Sequence, residues 1–418
     1  MKSHYPLHIF LVFYFLIPFV PQNNTLDVVA FQWLLFSFLN FILFIFTFLL
    51  KRFDLYKSRK LLLFTFFIFI AFCSLSYTSN YTLGFQDFSR WFQVYLFVVL
   101  MLLNLKDVQL NSLFIVRLIS FILLFEIAVI LYPLIYELIF NGFDIFEATS
   151  VNPSAFNGIT GNKNIAAASI VVKLPFALYL LSRCKIISLL VSFFIISLSI
   201  LSILFISSRA SYISLTVILI LGFLLPFIYS NLFLKSDKVK YLLSLTFSVI
   251  FGFFLSSIFI PSASSLVVNK ITSISYSQQG SSGRNLLWSD AFSFGIQHPF
   301  TGGGLGSWKI ESAPYWNSHG SDYLVPYHAH NDFLEIFAEL GSLGFLLYLS
   351  LFVVMFFTFF YRSRSISHPL NLLYFTFFLS LTAYFIDSFF NFPMERFIMQ
   401  MMFSVLLLFS FSKSNSLK

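Results

Sequence analysis

Charge is what this chain has least of. Only 10% of its 418 residues are Asp, Glu, Lys or Arg, against roughly 25% in soluble domains. Hydrophobic residues make up 58%, and 62 of them are phenylalanines. This poverty of charge excludes a soluble globular protein. Cysteine is nearly missing too: Cys73 and Cys184 each lie in or beside an apolar run and form no CxxC pair. Neither a disulfide framework nor a thiolate metal site is indicated. Strand alternation is also missing, because the apolar runs are continuous where barrel strands would alternate over about 10 residues. What the chain does have is apolar runs near 20 residues, each long enough to cross roughly 30 Å of hydrocarbon. Lipid cannot satisfy a bare backbone, so such runs must be helical. The sequence predicts an all-α polytopic membrane protein.

Twelve spans are expected, at about 6–22, 28–50, 60–79, 90–104, 112–136, 163–182, 186–206, 210–230, 241–260, 331–360, 368–386 and 396–412. The opening segment lacks a small-residue cleavage site and is expected to stay as an anchor. With both termini cytoplasmic, sixteen of the 25 basic residues fall on the cytoplasmic side and seven opposite, with Arg117 and Lys173 inside spans. That bias follows the positive-inside rule. It also makes the net charge of +8 a matter of topology, and no nucleic-acid partner is expected. The chain divides into N-terminal spans (1–136), a loop (137–162) with Asp144 and Glu147, central spans (163–260), a large loop (261–330) and C-terminal spans (331–418). Loops longer than about 15 residues are usually functional or disordered. The large one carries Trp288, Trp308 and Trp316 and is expected to be ordered. "SGRNLLWSDAFSFGIQHP" reads as a short amphipathic helix, with Leu286, Leu287, Ala291, Phe292 and Ile296 on one face and His298-Pro299 ending it.

The scarce ionisable groups gather in "YHAHNDFLEIFAELGSLG", residues 327–344, just before a run without charge. "HAHND" resembles the HxHxDH ligand run of metallo-β-lactamase-type hydrolases, but Phe333 stands at the last ligand position and the required αβ sandwich cannot be built. His328, His330 and Asp332 would be the zinc ligands on that reading; the preferred reading has no metal and no cofactor. Asn331 or Asp332 is expected to cap the following helix. Asp332, Glu335 and Glu339 then form one acidic stripe lining a cleft, while Gly341 and Gly344 admit a neighbouring helix. Arg209, Arg284 and Arg396 fall on the same non-cytoplasmic side. Arginine forks suit bidentate phosphate binding, so the three together suggest a polyanionic headgroup. The bland alternative for each is anchoring to lipid phosphates.

"RNLLWSDAFSFGIQHPFTGGGLGSW" followed by "HAHNDFLEIFAELGSLGFLLYL" resembles the signature of the O-antigen ligase and polymerase superfamily. "TGNKNIAAA" at 160–168 is similar to an earlier element of that family. The resemblance is strong over about residues 200–345. It implies a glycosyltransferase of the bacterial inner membrane, about twelve transmembrane helices, and one large periplasmic loop containing short helices. The implied reaction moves a glycan from an undecaprenyl-diphosphate donor to an acceptor hydroxyl on the periplasmic face, without metal or nucleotide. The acceptor is lipid A–core for ligases, a lipid-linked repeat for polysaccharide polymerases, and protein for oligosaccharyltransferases. By motif position, Arg209 and Arg284 correspond to diphosphate-binding arginines and His330 to the catalytic histidine near the reacting hydroxyl. His328, Asn331, Glu335, Glu339 and Arg396 are expected in support, with His328 the competitor for the base role and Glu335 or Glu339 orienting the histidine or binding sugar hydroxyls. A lipid-linked glycan transporter is the rival class; its paired halves have no counterpart in the sequence.

Overall fold

The computed structural model describes residues 5–20, 29–50, 52, 58–140, 156–259, 284–318, 327–365, 370–413 and 416–417. Asp144, Glu147 and residues 260–283 and 319–326 of the large loop lie outside these, as does the side chain of Trp316. The described residues fold into fourteen α-helices and no strand. They are α1 (Tyr5–Leu16), α2 (Ala30–Leu49), α3 (Arg59–Ser74), α4 (Tyr81–Leu105), α5 (Ser112–Phe140), α6 (Lys163–Ser182), α7 (Ile186–Ile206), α8 (Arg209–Ile228), α9 (Lys235–Phe259), α10 (Arg284–Gln297), α11 (Trp308–Ser318), α12 (Asp332–Ser365), α13 (Leu370–Ser388) and α14 (Phe397–Phe411). Among the described residues, nine are long and apolar enough to cross a membrane. Helices α1, α3 and α14 answer to expected spans but run only 12, 16 and 15 residues.

Helix α6 sits at the middle, packed against α5, α7, α8 and α13. Its start is fixed by Asn162, whose side chain accepts from the backbone N–H groups of Asn164 and Ile165, a side-chain cap of the usual N-terminal kind. Ala166, Ala167, Ala168 and Ser169 follow, all buried; small residues let neighbouring backbones come close. Lys173, expected within a span, donates to Glu126 of α5 at 2.9 Å, and both side chains are sealed from solvent. A charge at this depth persists only with a partner. The pair therefore fixes the rotation of α6 against α5.

The two ends of the bundle differ. At the end holding the C-terminus, Lys60 donates to Thr358 and to the Ser410 carbonyl, and Arg362 donates to the carbonyls of Phe409 and Ser412. These cations satisfy the last carbonyls of α14, where the helix dipole favours positive charge. The other end carries α10, α11 and the start of α12.

Helix α12 is 34 residues long, which at 1.5 Å per residue is about 51 Å and too long for one crossing. It is broken at Gly341, whose φ of 63° and ψ of −166° are not helical. The "HPFTGGGLG" loop enters the break. Gly303 and Gly304 donate their N–H groups to the carbonyls of Ala338 and Glu339, and Ser342 donates to the Pro299 carbonyl. Three backbone groups that a straight helix would pair within itself, two carbonyls and one N–H, are thus satisfied by a loop. The expectation that Gly341 and Gly344 admit a neighbouring helix is corrected here. A Cβ on Gly341 would lie 2.4 Å from the Phe300 carbonyl, so a loop is what approaches, and residues 332–340 form a separate short helix above the span.

Candidate functional site

Helix α10 forms over Arg284–Gln297, but its buried face is Leu287, Asp290, Ala291 and Phe294. Phe292 and Ile296, expected on that face, point outward instead. The reason is that α10 packs against 332–340, where Phe337 meets Gly295 and Phe292. This packing puts Arg284 and Trp288, one helical turn apart, over the start of α12. Trp288 Nε1 donates to the His330 carbonyl at 3.3 Å. Arg284 reaches Asn391 Oδ1 at 3.4 Å, and Asn391 Nδ2 donates to Asp387.

Three expected residues come together here. Burial lowers the Arg284 pKa; Asp387 opposes the shift and the nearby charge of Arg209 adds to it. Arg209 is the first residue of α8, following a left-handed turn at Ser207. Two guanidiniums within reach of each other repel, and an anion with several oxygens relieves both at once. His330 feels the same field. Burial, then Arg284, then His328 push its imidazole down from 6.5 to about 3, so the ring is neutral. Its Nδ1 is buried and has no hydrogen-bond partner among the described residues. The backbone at His330 has φ of 52°, a left-handed conformation that costs a non-glycine residue of order 1–3 kcal/mol. Strain of this kind persists where the surroundings hold it, here by Trp288 on the carbonyl and Asn331 on the following helix. Asn331 Oδ1 accepts from the N–H groups of Phe333 and Leu334 and is the cap, rather than Asp332.

The acidic stripe does not line an open cleft. Asp332, Glu335 and Glu339 are all buried, and each is engaged. Asp332 Oδ2 accepts from Tyr348 and from the Met394 N–H. Glu339 accepts from the Trp308 N–H at the start of α11. Glu335 holds His328 Nδ1 at 3.0 Å and the Ala329 N–H at 2.8 Å. Neither Glu335 nor Glu339 orients His330, and the expectation is corrected on that point. His328, the expected competitor, is the histidine with a carboxylate partner. A zinc set of His328, His330 and Asp332 does not assemble. The group whose ligand atoms do converge is His328, Glu335 and Glu395, within 4.8 Å of one another. Each of these already has a protein partner, which argues for a hydrogen-bonded cluster.

Sequence reading missed the groups behind this layer. Arg90 pairs with Glu395 at 2.7 Å, and Lys309 pairs with Asp87 at 2.8 Å and with Glu395 at 3.3 Å. All four are buried. Burial alone would raise the Glu395 carboxyl and lower the Lys309 ammonium. The facing charges win: Lys309 and Arg90 hold Glu395 well below the carboxylate range, while Glu395 and Asp87 hold Lys309 above the usual lysine range. The fourth span was expected from Arg90, but α4 begins at Tyr81, capped by Asn80, which places Asp87 and Arg90 inside it at i, i+3. Asp387, Asn391 and Phe392 were missed as well. The signal was available, since ionisable and amide groups in "FIDSFFNFPMERF" interrupt an otherwise apolar run and such groups are rare at membrane depth. Arg396 stands at the head of α14. It lines a small cavity with Gln32 and Thr160, and its guanidinium carbon lies 5.4 Å from the Phe392 ring centre.

Residues 176–349 match the family model for O-antigen ligase. The match supports the O-antigen ligase and polymerase superfamily. No curated protein matches the chain. The ligase-type segment contains Arg209, Arg284, His328 and His330 and runs through the Gly341 break. It stops short of Asp387, Asn391, Phe392, Glu395 and Arg396, which reach the same place from the other side of α12.

Proposed function

We propose that this protein transfers a glycan from undecaprenyl diphosphate to a hydroxyl of lipid A–core, on the periplasmic face of a bacterial inner membrane. The observation that carries the reading is the convergence of Arg284 and a neutral His330, joined through α10 by Trp288, with the charge of Arg209 acting on Arg284. The excess of basic residues at the opposite end supports cytoplasmic termini and a periplasmic site.

The reaction is a displacement at the anomeric carbon. The acceptor oxygen forms a bond to that carbon, the bond from carbon to the diphosphate oxygen breaks, and the diphosphate leaves with the electron pair. Arg209 and Arg284 bind the diphosphate and stabilise the charge that grows on it, as fixed cations do for a developing anion. His330 takes the hydroxyl proton. An imidazole held near 3 is a weak base, and the leaving group corrects this. Negative charge between Arg284 and His330 cancels the arginine's effect and favours the imidazolium, so basicity rises when donor is bound. Tyr348, Asp332 and the aromatic core hold the helices, and the lipid tail lies along the spans.

The test uses purified protein with a defined lipid-linked donor. His330→Ala and Arg284→Ala each lower transfer by about a hundredfold or more while inserting and eluting as wild type. Full transfer by either variant refutes its role. Glycan on lipid A–core supports ligation, whereas a ladder of lipid-linked repeats assigns the same site to a polymerase.

A further inference from the structure

Phe392 touches more of this site than any residue that motif reading picked out. Its ring is stacked on His328, with centroids 4.4 Å apart and planes at 17°. The edge contact with His330 is 4.9 Å at 75°. The Arg396 guanidinium lies 5.4 Å from the ring centre. The ring is almost wholly buried, and Pro393 follows it directly. Proline disfavours the helical region for the residue before it, and Phe392 stands outside it at φ −130° and ψ 62°. One buried aromatic therefore contacts two imidazoles and one guanidinium.

We infer that Phe392 is a positioning residue for His330, holding its imidazole at the angle from which it takes the acceptor proton. The inference rests on the glycosyltransferase reading for its kinetic consequence and on geometry alone for its structural one. His330 has Trp288 on its carbonyl, and its Nδ1 has no polar partner among the described residues. A contact with the ring itself is supplied by Phe392. Glu335 is hydrogen-bonded to His328 at 3.0 Å and Glu395 lies within 4.8 Å, so the histidine stacked on Phe392 is itself held. An imidazole free to tilt loses its approach to the acceptor hydroxyl, and a misplacement of about 1 Å costs rate more than binding, which makes the contribution of Phe392 one to turnover.

Phe392→Leu and Phe392→Tyr are compared with wild type in the purified full-length protein. Phe392→Leu lowers kcat about tenfold and leaves KM for the lipid-linked donor within about twofold. Phe392→Tyr keeps the ring and restores kcat. A general packing defect would lower the melting temperature and disturb KM as well, and Tyr would not rescue it. Unchanged kcat in Phe392→Leu, or equal losses in the Leu and Tyr variants, overturns the inference while leaving the roles of His330 and Arg284 intact. A second readout needs no activity. In protein labelled at histidine, the His330 ring-proton resonances, assigned with His330→Gln, carry an aromatic ring-current shift. Phe392→Leu removes that shift and Phe392→Tyr keeps it; a resonance unmoved by Leu refutes the contact, even in a protein that transfers no glycan.

Discussion

Replacing Gly341 by alanine tests the loop-in-helix junction that positions His330. At φ of 63° and ψ of −166° an L-residue is strained by about 1–3 kcal/mol. The new Cβ would also stand 2.4 Å from the Phe300 carbonyl carbon and oxygen and 2.7 Å from the Thr301 nitrogen. Backbone atoms cannot rotate aside, so the loop must withdraw by about 1 Å to reach ordinary contact distance. Withdrawal strains three hydrogen bonds, from Gly303, Gly304 and Ser342, each worth about 1 kcal/mol net. The sum is about 4–6 kcal/mol of local destabilisation. Gly222→Ala is the matched control, because its Cβ meets side-chain methyls of Leu178 and Leu245, the nearest at 3.0 Å, and alanine favours helix by about 1 kcal/mol. Melting in detergent, followed by tryptophan fluorescence and by elution profile, gives the comparison. Gly341→Ala melts well below Gly222→Ala and exposes the 298–306 segment to protease. A Gly341→Ala protein that matches the control in both measurements refutes the junction as described.

Lys173→Met strands the Glu126 carboxylate among apolar helices and lowers stability by about 3–5 kcal/mol, whereas adding Glu126→Leu restores most of the loss; a double variant no better than the single shows the pair is not what fixes α6. The pH dependence of melting carries a signature of His330. Its folded pKa of about 3 lies below the unfolded value near 6.5, so the unfolded chain binds a proton that the folded chain refuses. That contribution is whole above about pH 6.5 and declines as pH falls toward 3, by up to about 1.4 kcal/mol per unit. Glu395, whose carboxyl is depressed, adds a loss only below about pH 4.3, and the difference between wild type and His330→Gln isolates the His330 part at pH 5–6.5. His330→Gln flattens the curve there, and an unchanged slope refutes a neutral buried imidazole.

The sequence made the helical membrane class legible because continuous apolar runs admit no other economical backbone. That Arg284 and His330 come near one another was expected from the resemblance, in which an arginine-led loop helix is followed by an "HN" pair. What was illegible depended on partners far apart in sequence. Glu335 lies five residues from His330 and seven from His328, and helical spacing alone could not tell which it serves. The i, i+3, i+7 geometry did align Asp332, Glu335 and Glu339, yet alignment on a face says nothing about whether the face meets a cleft or a packed layer. Gly341 and Gly344 were read by their smallness, which allows close approach by anything. Only the torsion angles distinguish a docked helix from a loop threaded into a break. Lys309, Asp87, Arg90 and Glu395 come from three separate segments and meet only through the fold.

Those last four residues hold two positive and two negative charges within contact of one another. Seen from a few ångströms away they are electrically quiet. A lysine and an arginine that would otherwise draw a diphosphate toward α4 are already spoken for. On the proposed reading, an incoming polyanion at this end of the bundle is therefore steered by Arg209, Arg284 and Arg396 rather than by the whole basic inventory. Neutralising the bystanders sharpens the destination, and the loss of a single acid from the quartet would open a second, unproductive place for the donor to rest.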